Sequence, residues 1–257
     1  MRVAITTYQD NFPGGIVGRI KATDQDPYDT LSYGFVTSRG TDGIYENLFE
    51  INPHDGTIIA FSGLDDGTYL LNVSVTDEKF VSYSQVAVEV ELVTDEMLSN
   101  AVRVRIGPVT PEDFVLNYKK RFIRGMKAAL GVQPKDILIV SIQTAEDERP
   151  KRSPSTMLDI LFIVKKTSQT FLPRDTVRKE LHAELDKLES ALGLRVFRIE
   201  KDECTKDLCI HGKCADEMIL EEGKVMVVTT DVEAYVAPRH HHKTMCHCKN
   251  GYTGESI

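Results

Sequence analysis

Apolar and polar positions alternate through most of the first 94 residues. The runs at 1–7, 16–20, 31–35, 48–51, 57–61, 69–75 and 84–92 repeat their character every second residue, the period of a half-buried strand. Turn residues separate them: Pro13-Gly14-Gly15, Asp42-Gly43, Asp55-Gly56 and Asp66-Gly67. Seven short strands in this span predict a β-sandwich. In the run at 69–75, Tyr69, Leu71, Val73 and Val75 would face the core and Asn72 would point outward.

The rhythm changes after residue 99. Residues 101–106 alternate as a strand. Thr110-Pro111-Glu112-Asp113 has the form of a helix start, with an N-cap hydroxyl, proline at the first helical position and acids in the first turn. Apolar residues at 114, 115, 118, 122, 126, 129 and 130 keep helical spacing until Gly131. Strands follow at 136–142 and 158–164, divided by a polar loop at 144–156. A second helical stripe runs through 177, 181, 185, 188 and 192 to a stop at Gly193, and a strand at 194–199 closes the series. The order βαββαβ predicts an α+β ferredoxin-like plait, with one apolar stripe of each helix packed on a four-stranded antiparallel sheet. That fold hosts many functions and names none.

A length of 257 residues suits two or three compact units. Apolar runs such as 137–140 and 161–164 fall far short of the ~20 residues a membrane helix needs, so no segment is expected to insert in a bilayer. Basic residues number 31 and acidic residues 39, a net charge of −8 that argues against a nucleic-acid partner. The basic residues Lys119, Lys120, Arg121 and Arg124 read as the solvent face of a helix. No secretory leader opens the chain, which implies either an intracellular protein or a piece of a longer one.

The cysteines bear on that choice. All five lie late, at 204, 209, 214, 246 and 248. Such density marks a disulfide staple for a unit too small to hold itself. With His211, His240, His241, His242 and His247 nearby, zinc ligation is the other reading of the same residues. The triplet His240–His242 would occupy a solvated loop, or bind metal or sense pH. The cluster Arg149-Pro150-Lys151-Arg152 offers a protease site within what reads as a solvated loop. No G-x-S-x-G, H-E-x-x-H or Walker motif is present, and no catalytic residues are expected.

The tail Cys246-His247-Cys248-Lys249-Asn250-Gly251-Tyr252-Thr253-Gly254 resembles the end of an epidermal-growth-factor-like (EGF-like) module. That resemblance implies the pairs Cys204–Cys214 and Cys209–Cys246. It leaves Cys248 unpaired, because Ile257 stands where the sixth cysteine would fall. It also implies an oxidising, extracellular setting, in which Asn72-Val73-Ser74 is a glycosylation sequon.

Three blocks in order resemble a cadherin repeat: residues 15–26 with Leu31-Ser32-Tyr33, residues 49–58, and Leu64-Asp65 with the stretch from Tyr69 to Asp77. The resemblance implies a Greek-key sandwich and calcium ligation by Asp24, Asp26 and Asp77, completed only by a preceding repeat. The outgoing half of the pattern is degraded. Leu64-Asp65-Asp66-Gly67 replaces the LDRE loop, and residues 92–96 replace the DxNDN linker. An exit without calcium is therefore expected, packed instead through Val93, Met97 and Leu98.

Residues 94–98, 109–114, 139–143, 158–162 and 237–239 before the last cysteines resemble the membrane-proximal ectodomain of Fat-type atypical cadherins. Residues 12–15 and 94–98 also look like the seven-pass Flamingo cadherins. The resemblance implies three modules: a cadherin-like repeat at 1–96, a SEA-like plait at 97–202 and a truncated EGF-like module with an insertion at 203–257. It implies a non-enzymatic link in calcium-dependent cell–cell adhesion and planar polarity, on the extracellular side of a plasma-membrane protein. Other cadherins would be met through more distal repeats. The alternatives are a SEA-type self-cleaving or protease-processed domain, or a ligand-binding module. Self-cleavage needs a Gly-Ser turn that the loop at 144–156 lacks.

Overall fold

The computed structural model describes residues 1–9, 12–26, 28–36, 45, 47–145, 156–167, 170–200, 204, 209 and 211–248. The chain divides into two units, residues 1–93 with 222–238, and residues 94–221 with 239–257.

The first unit holds strands β1 (Arg2–Tyr8), β2 (Gly15–Arg19), β3 (Ser32–Phe35), β4 (Phe49–Ile51), β5 (Thr57–Ala60), β6 (Gly67–Thr76) and β7 (Val81–Val93). One sheet has the order β2-β5-β4. In the other, β1, β7, β6 and β3 are neighbours. The β6–β7 pair is antiparallel, from Gly67 opposite Val90 to Thr76 opposite Val81. β1 runs parallel to β7, from Arg2 opposite Ala87 to Tyr8 opposite Val93. Alternation sets what is buried: Leu71 and Val73 are inside, Leu70 and Asn72 outside. Phe12, Val17, Phe49, Ile58, Leu64, Val86 and Val88 fill the space between the sheets. This is the cadherin-like sandwich that the strand pattern and the three blocks implied.

The second unit opens with a short helix, α1 (Asp95–Ser99), capped by Thr94, whose Oγ1 accepts the Met97 N–H at 3.3 Å. Then come β8 (Val102–Gly107), α2 (Pro111–Asp113), α3 (Lys119–Leu130), β9 (Ile137–Thr144), β10 (Leu158–Val164), α4 (Arg174–Ala183), α5 (Leu185–Leu192) and β11 (Arg195–Ile199). Thr110 Oγ1 accepts the Asp113 N–H at 3.2 Å and starts the helical run. Gly131 and Gly193 end α3 and α5 with φ of 67° and 73°, a conformation that costs a residue with Cβ about 1–2 kcal/mol. The sheet order is β11-β8-β10-β9, every pair antiparallel. β10 is buried along its whole length. Phe122 packs edge-on between Phe114 and Phe162, with centroids 5.7 and 5.8 Å away.

Two helical stretches depart from the regular spacing read in the sequence. Residues 114–118 form a widened π turn before α3. The stripe from 177 to 192 is split at Glu184 into α4 and α5. The stripe survives the break because Leu181 and Leu188 still face inward.

The largest difference lies after residue 211. A hairpin of β12 (Gly212–Thr229) and β13 (Glu233–Cys248) runs through the span expected to be a small module with an insertion. Residues 222–238 belong to the first unit and the rest of the hairpin to the second. β13 lies parallel to β1, from Arg2 opposite Glu233 to Ile5 opposite Val236. Ala234 and Val236 enter the sandwich core. The histidine triplet is thus on a strand and not in a solvated loop. His240 is 1% exposed, and the side chain of His242 is 8% exposed.

Candidate functional site

Three features of the sequence pointed to chemistry, and each can be placed. The first is the carboxylate group of the sandwich. Asp24 Oδ1 accepts the Asp26 N–H at 2.8 Å, and Asp26 Oδ1 accepts the Tyr28 N–H at 3.0 Å. Asp77 Oδ1 accepts the N–H groups of Lys79 and Phe80 at 2.8 and 2.5 Å. The Phe80 amide is the main reason the Asp77 carboxyl is held below its ordinary range, against a smaller opposing effect of burial. Lys79 Nζ sits 2.9 Å from Asp29 Oδ2, and that bond raises the lysine. These are carboxylate oxygens, the donor type a hard cation takes. Among the described residues no set of three or more His, Cys, Asp or Glu side chains converges as a metal site. Six to eight oxygens would need donors from another segment.

The second feature is Asn72, exposed at the middle of β6. Its Oδ1 accepts from Gln85 Nε2 at 3.1 Å across the strand pair. The third is the cysteine set. Cys204 is bonded to Cys214 and Cys209 to Cys246, with Cα separations of 5.5 and 5.7 Å. Cys248 forms no disulfide and is half-buried. Val93, Met97 and Leu98 are all buried. The basic cluster at 149–152 lies outside the described residues, as does Ile257.

The second unit also holds a buried polar cluster that the sequence reading passed over. The Glu200 carboxylate lies 3.6 Å from the Arg103 guanidinium and 3.4 Å from His242 Nε2. The same imidazole nitrogen is 3.7 Å from Asp216 Oδ1. Asp216 accepts from Thr244 Oγ1 at 2.8 Å and from the Cys204 N–H at 3.0 Å, and its carbonyl accepts from Arg174 at 2.8 Å. Burial pushes the Glu200 carboxyl up, with Arg103 and His242 opposing. Beside it, Arg105 grips Asp159 with two bonds of 2.7 and 2.8 Å. The visible signal was Asp159 itself, a charge inside an otherwise apolar strand facing a strand with Arg103 and Arg105. These side chains partner one another inside the unit, which is how buried polar and charged groups are held.

No helix among the described residues is long and apolar enough to cross a membrane. No protein-family model matches the chain. It is 34% identical over 251 residues to Protocadherin Fat 1 of Homo sapiens, covering 98% of this chain and 5% of that protein. It is 32% identical to the Fat-like cadherin-related tumor suppressor homolog of Drosophila melanogaster, over 99% of this chain and 6% of the relative. Cadherin EGF LAG seven-pass G-type receptor 1 of Mus musculus is 25% identical over 98% of this chain and 8% of its own length. The chain therefore spans under a tenth of the length of these relatives.

Proposed function

Because the chain is homologous along nearly its whole length to one segment of the large atypical cadherins, Fat-type protocadherins and seven-pass cadherins alike, we propose that it is a non-enzymatic structural link in the extracellular part of such a cell-adhesion protein. It joins the adhesive repeats on one side to membrane-proximal modules on the other, in calcium-dependent adhesion and planar polarity. The match over 98% of this chain to a Fat protocadherin carries the reading. The partners are other cadherins, met through repeats outside this segment.

The sandwich is the last repeat of a series. Asp24, Asp26 and Asp77 would supply carboxylates to calcium once a preceding repeat provides the remaining oxygens. At the exit, Val93, Met97 and Leu98, each of them buried, would take over the role of calcium ligands. The second unit is a SEA-like plait, supported by the sheet order β11-β8-β10-β9. The cysteines around the hairpin base follow the opening pairs of an EGF-like unit.

The link is tested by replacing residues 1–257 in the parent ectodomain with a flexible Gly/Ser linker of equal reach. Cells carrying the replacement should still aggregate, but with a broadened spacing between membranes in electron micrographs. Unchanged spacing would remove the structural role. The rival reading, self-cleavage, is tested by intact mass after prolonged incubation of the pure chain, where two fragments would support it.

A further inference from the structure

We propose that Asn72 carries an N-linked glycan whose first N-acetylglucosamine lies on Tyr83, on the outward face of β6 and β7. The proposal rests on the extracellular reading above and names what occupies this face.

Strand period puts Leu70, Asn72 and Ser74 on one side of β6. The register sets Ala87, Gln85 and Tyr83 opposite them, so all six share that side. Val81, opposite Thr76, continues the row. Polar Asn72, Gln85 and Ser74 separate Leu70 at one end of this face from Tyr83 and Val81 at the other. Tyr83 is 70% exposed and Val81 beside it 50%.

The sequon stands beside that end of the face. Tyr83 is the diagonal neighbour of Asn72 across the pair, at a spacing of about 7–8 Å that a long aromatic side chain spans. A pyranose presents a flat face of C–H groups that matches an aromatic ring. The Gln85 Nε2–Asn72 Oδ1 bond uses the amide oxygen. Substitution at the nitrogen leaves that bond intact, so the linkage is held in one orientation. A branched sugar rooted here also bars a second protein from the same face, which is why the occupant is assigned to the glycan.

The experiment uses the whole chain secreted from mammalian cells behind a cleavable leader. Glycopeptide mass reads occupancy at Asn72, and disulfide mapping is done on the same material. Thermal unfolding is then compared for the chain, Ser74→Ala, Tyr83→Ser and the double variant. Asn72 is expected to be occupied, with loss of the glycan lowering Tm by about 2–4 °C when Tyr83 is present. In the Tyr83→Ser background the loss should cause no further fall. An equal fall in both backgrounds would show that the sugar does not rest on the ring and overturn the proposal. An unoccupied Asn72 in a protein with Cys204–Cys214 and Cys209–Cys246 formed would overturn it and leave the extracellular reading standing. Reduced cysteines throughout would overturn both.

Discussion

Gln143 pairs with the backbone of His240 through both atoms of its side-chain amide. Oε1 accepts the His240 N–H at 3.0 Å, and Nε2 donates to the His240 carbonyl at 3.0 Å. Both residues are buried. A glutamine side chain here does what the next strand of a sheet would do. Replacing it with the similarly shaped methionine leaves two buried backbone groups without partners. At roughly 1–3 kcal/mol per orphaned group, Gln143→Met should cost about 2–6 kcal/mol. The midpoint of urea unfolding measures this, and a loss below about 1 kcal/mol would show that the two bonds contribute little.

The His240 ring gives the protein an acid sensitivity. Burial is the main cause of its pKa falling from 6.5 to about 3, with Asp159 opposing and Arg103, His241 and Arg239 reinforcing. The folded state keeps the ring neutral while the unfolded chain takes up a proton below pH 6.5. This contribution to stability is therefore complete above pH 6.5 and is lost as pH falls toward 3. At about 1.4 kcal/mol per pH unit, the loss at pH 5 is about 2 kcal/mol. Glu200 works in the opposite direction. Its raised folded pKa means that its burial is relieved as acid is added and restored as a penalty when pH rises through that value. His240→Leu isolates the first effect. Its stability should fall less between pH 7 and pH 5 than that of the parent chain, and equal slopes would remove His240 as the source.

The bidentate pair of Arg105 and Asp159 should show the asymmetry of buried charges. Asp159→Leu removes the bidentate partner of a half-buried guanidinium and is expected to cost about 3–5 kcal/mol. Asp159→Leu combined with Arg105→Met removes both charges and should recover most of that loss. Equilibrium unfolding of the single and double variants decides it, and equal losses would mean the pair is not energetically coupled.

Gly125 lets α3 approach α5. A Cβ there would stand 2.8 Å from Leu188 Cδ1 and 3.2 Å from the Leu188 carbonyl oxygen. The leucine tip can rotate, but the backbone oxygen moves only with its helix. Gly125→Ala gains about 1 kcal/mol of helix propensity, yet the overpacking should exceed it and leave a net loss of about 1 kcal/mol. Gly125→Val should lose more. A stabilised alanine variant would show that the helices can part at little cost.

Much of the architecture was legible because it is local. The run at 158–164 is a strand because seven apolar-biased residues sit between turn-forming stretches, and it is the buried centre of its sheet. Gly131 and Gly193 end helices where the apolar stripes stop. The outward Asn72 followed from a period of two. The hairpin was not legible, for a physical reason. β13 pairs with β1 across more than two hundred residues of chain, and parallel pairing leaves no turn signal nearby. The cysteines at its base carry the signature of a small stapled module, and nothing in the local pattern marks Val225, Ala234 and Val236 for the sandwich core. The buried cluster of Glu200, His242 and Asp216 was hidden in the same way. Its members lie on segments that only the hairpin brings together.

That late return of the chain also decides how the protein can be divided. A truncation after residue 202, natural if modules followed one another like beads, would strip the opening strand of one of its two neighbours. The amides and carbonyls of Arg2–Ile5 on that side would then face solvent as an unpaired row. Proteins cut this way should recruit strands from one another and precipitate, so the shortest well-behaved version of the sandwich is one that still contains residues 222–238.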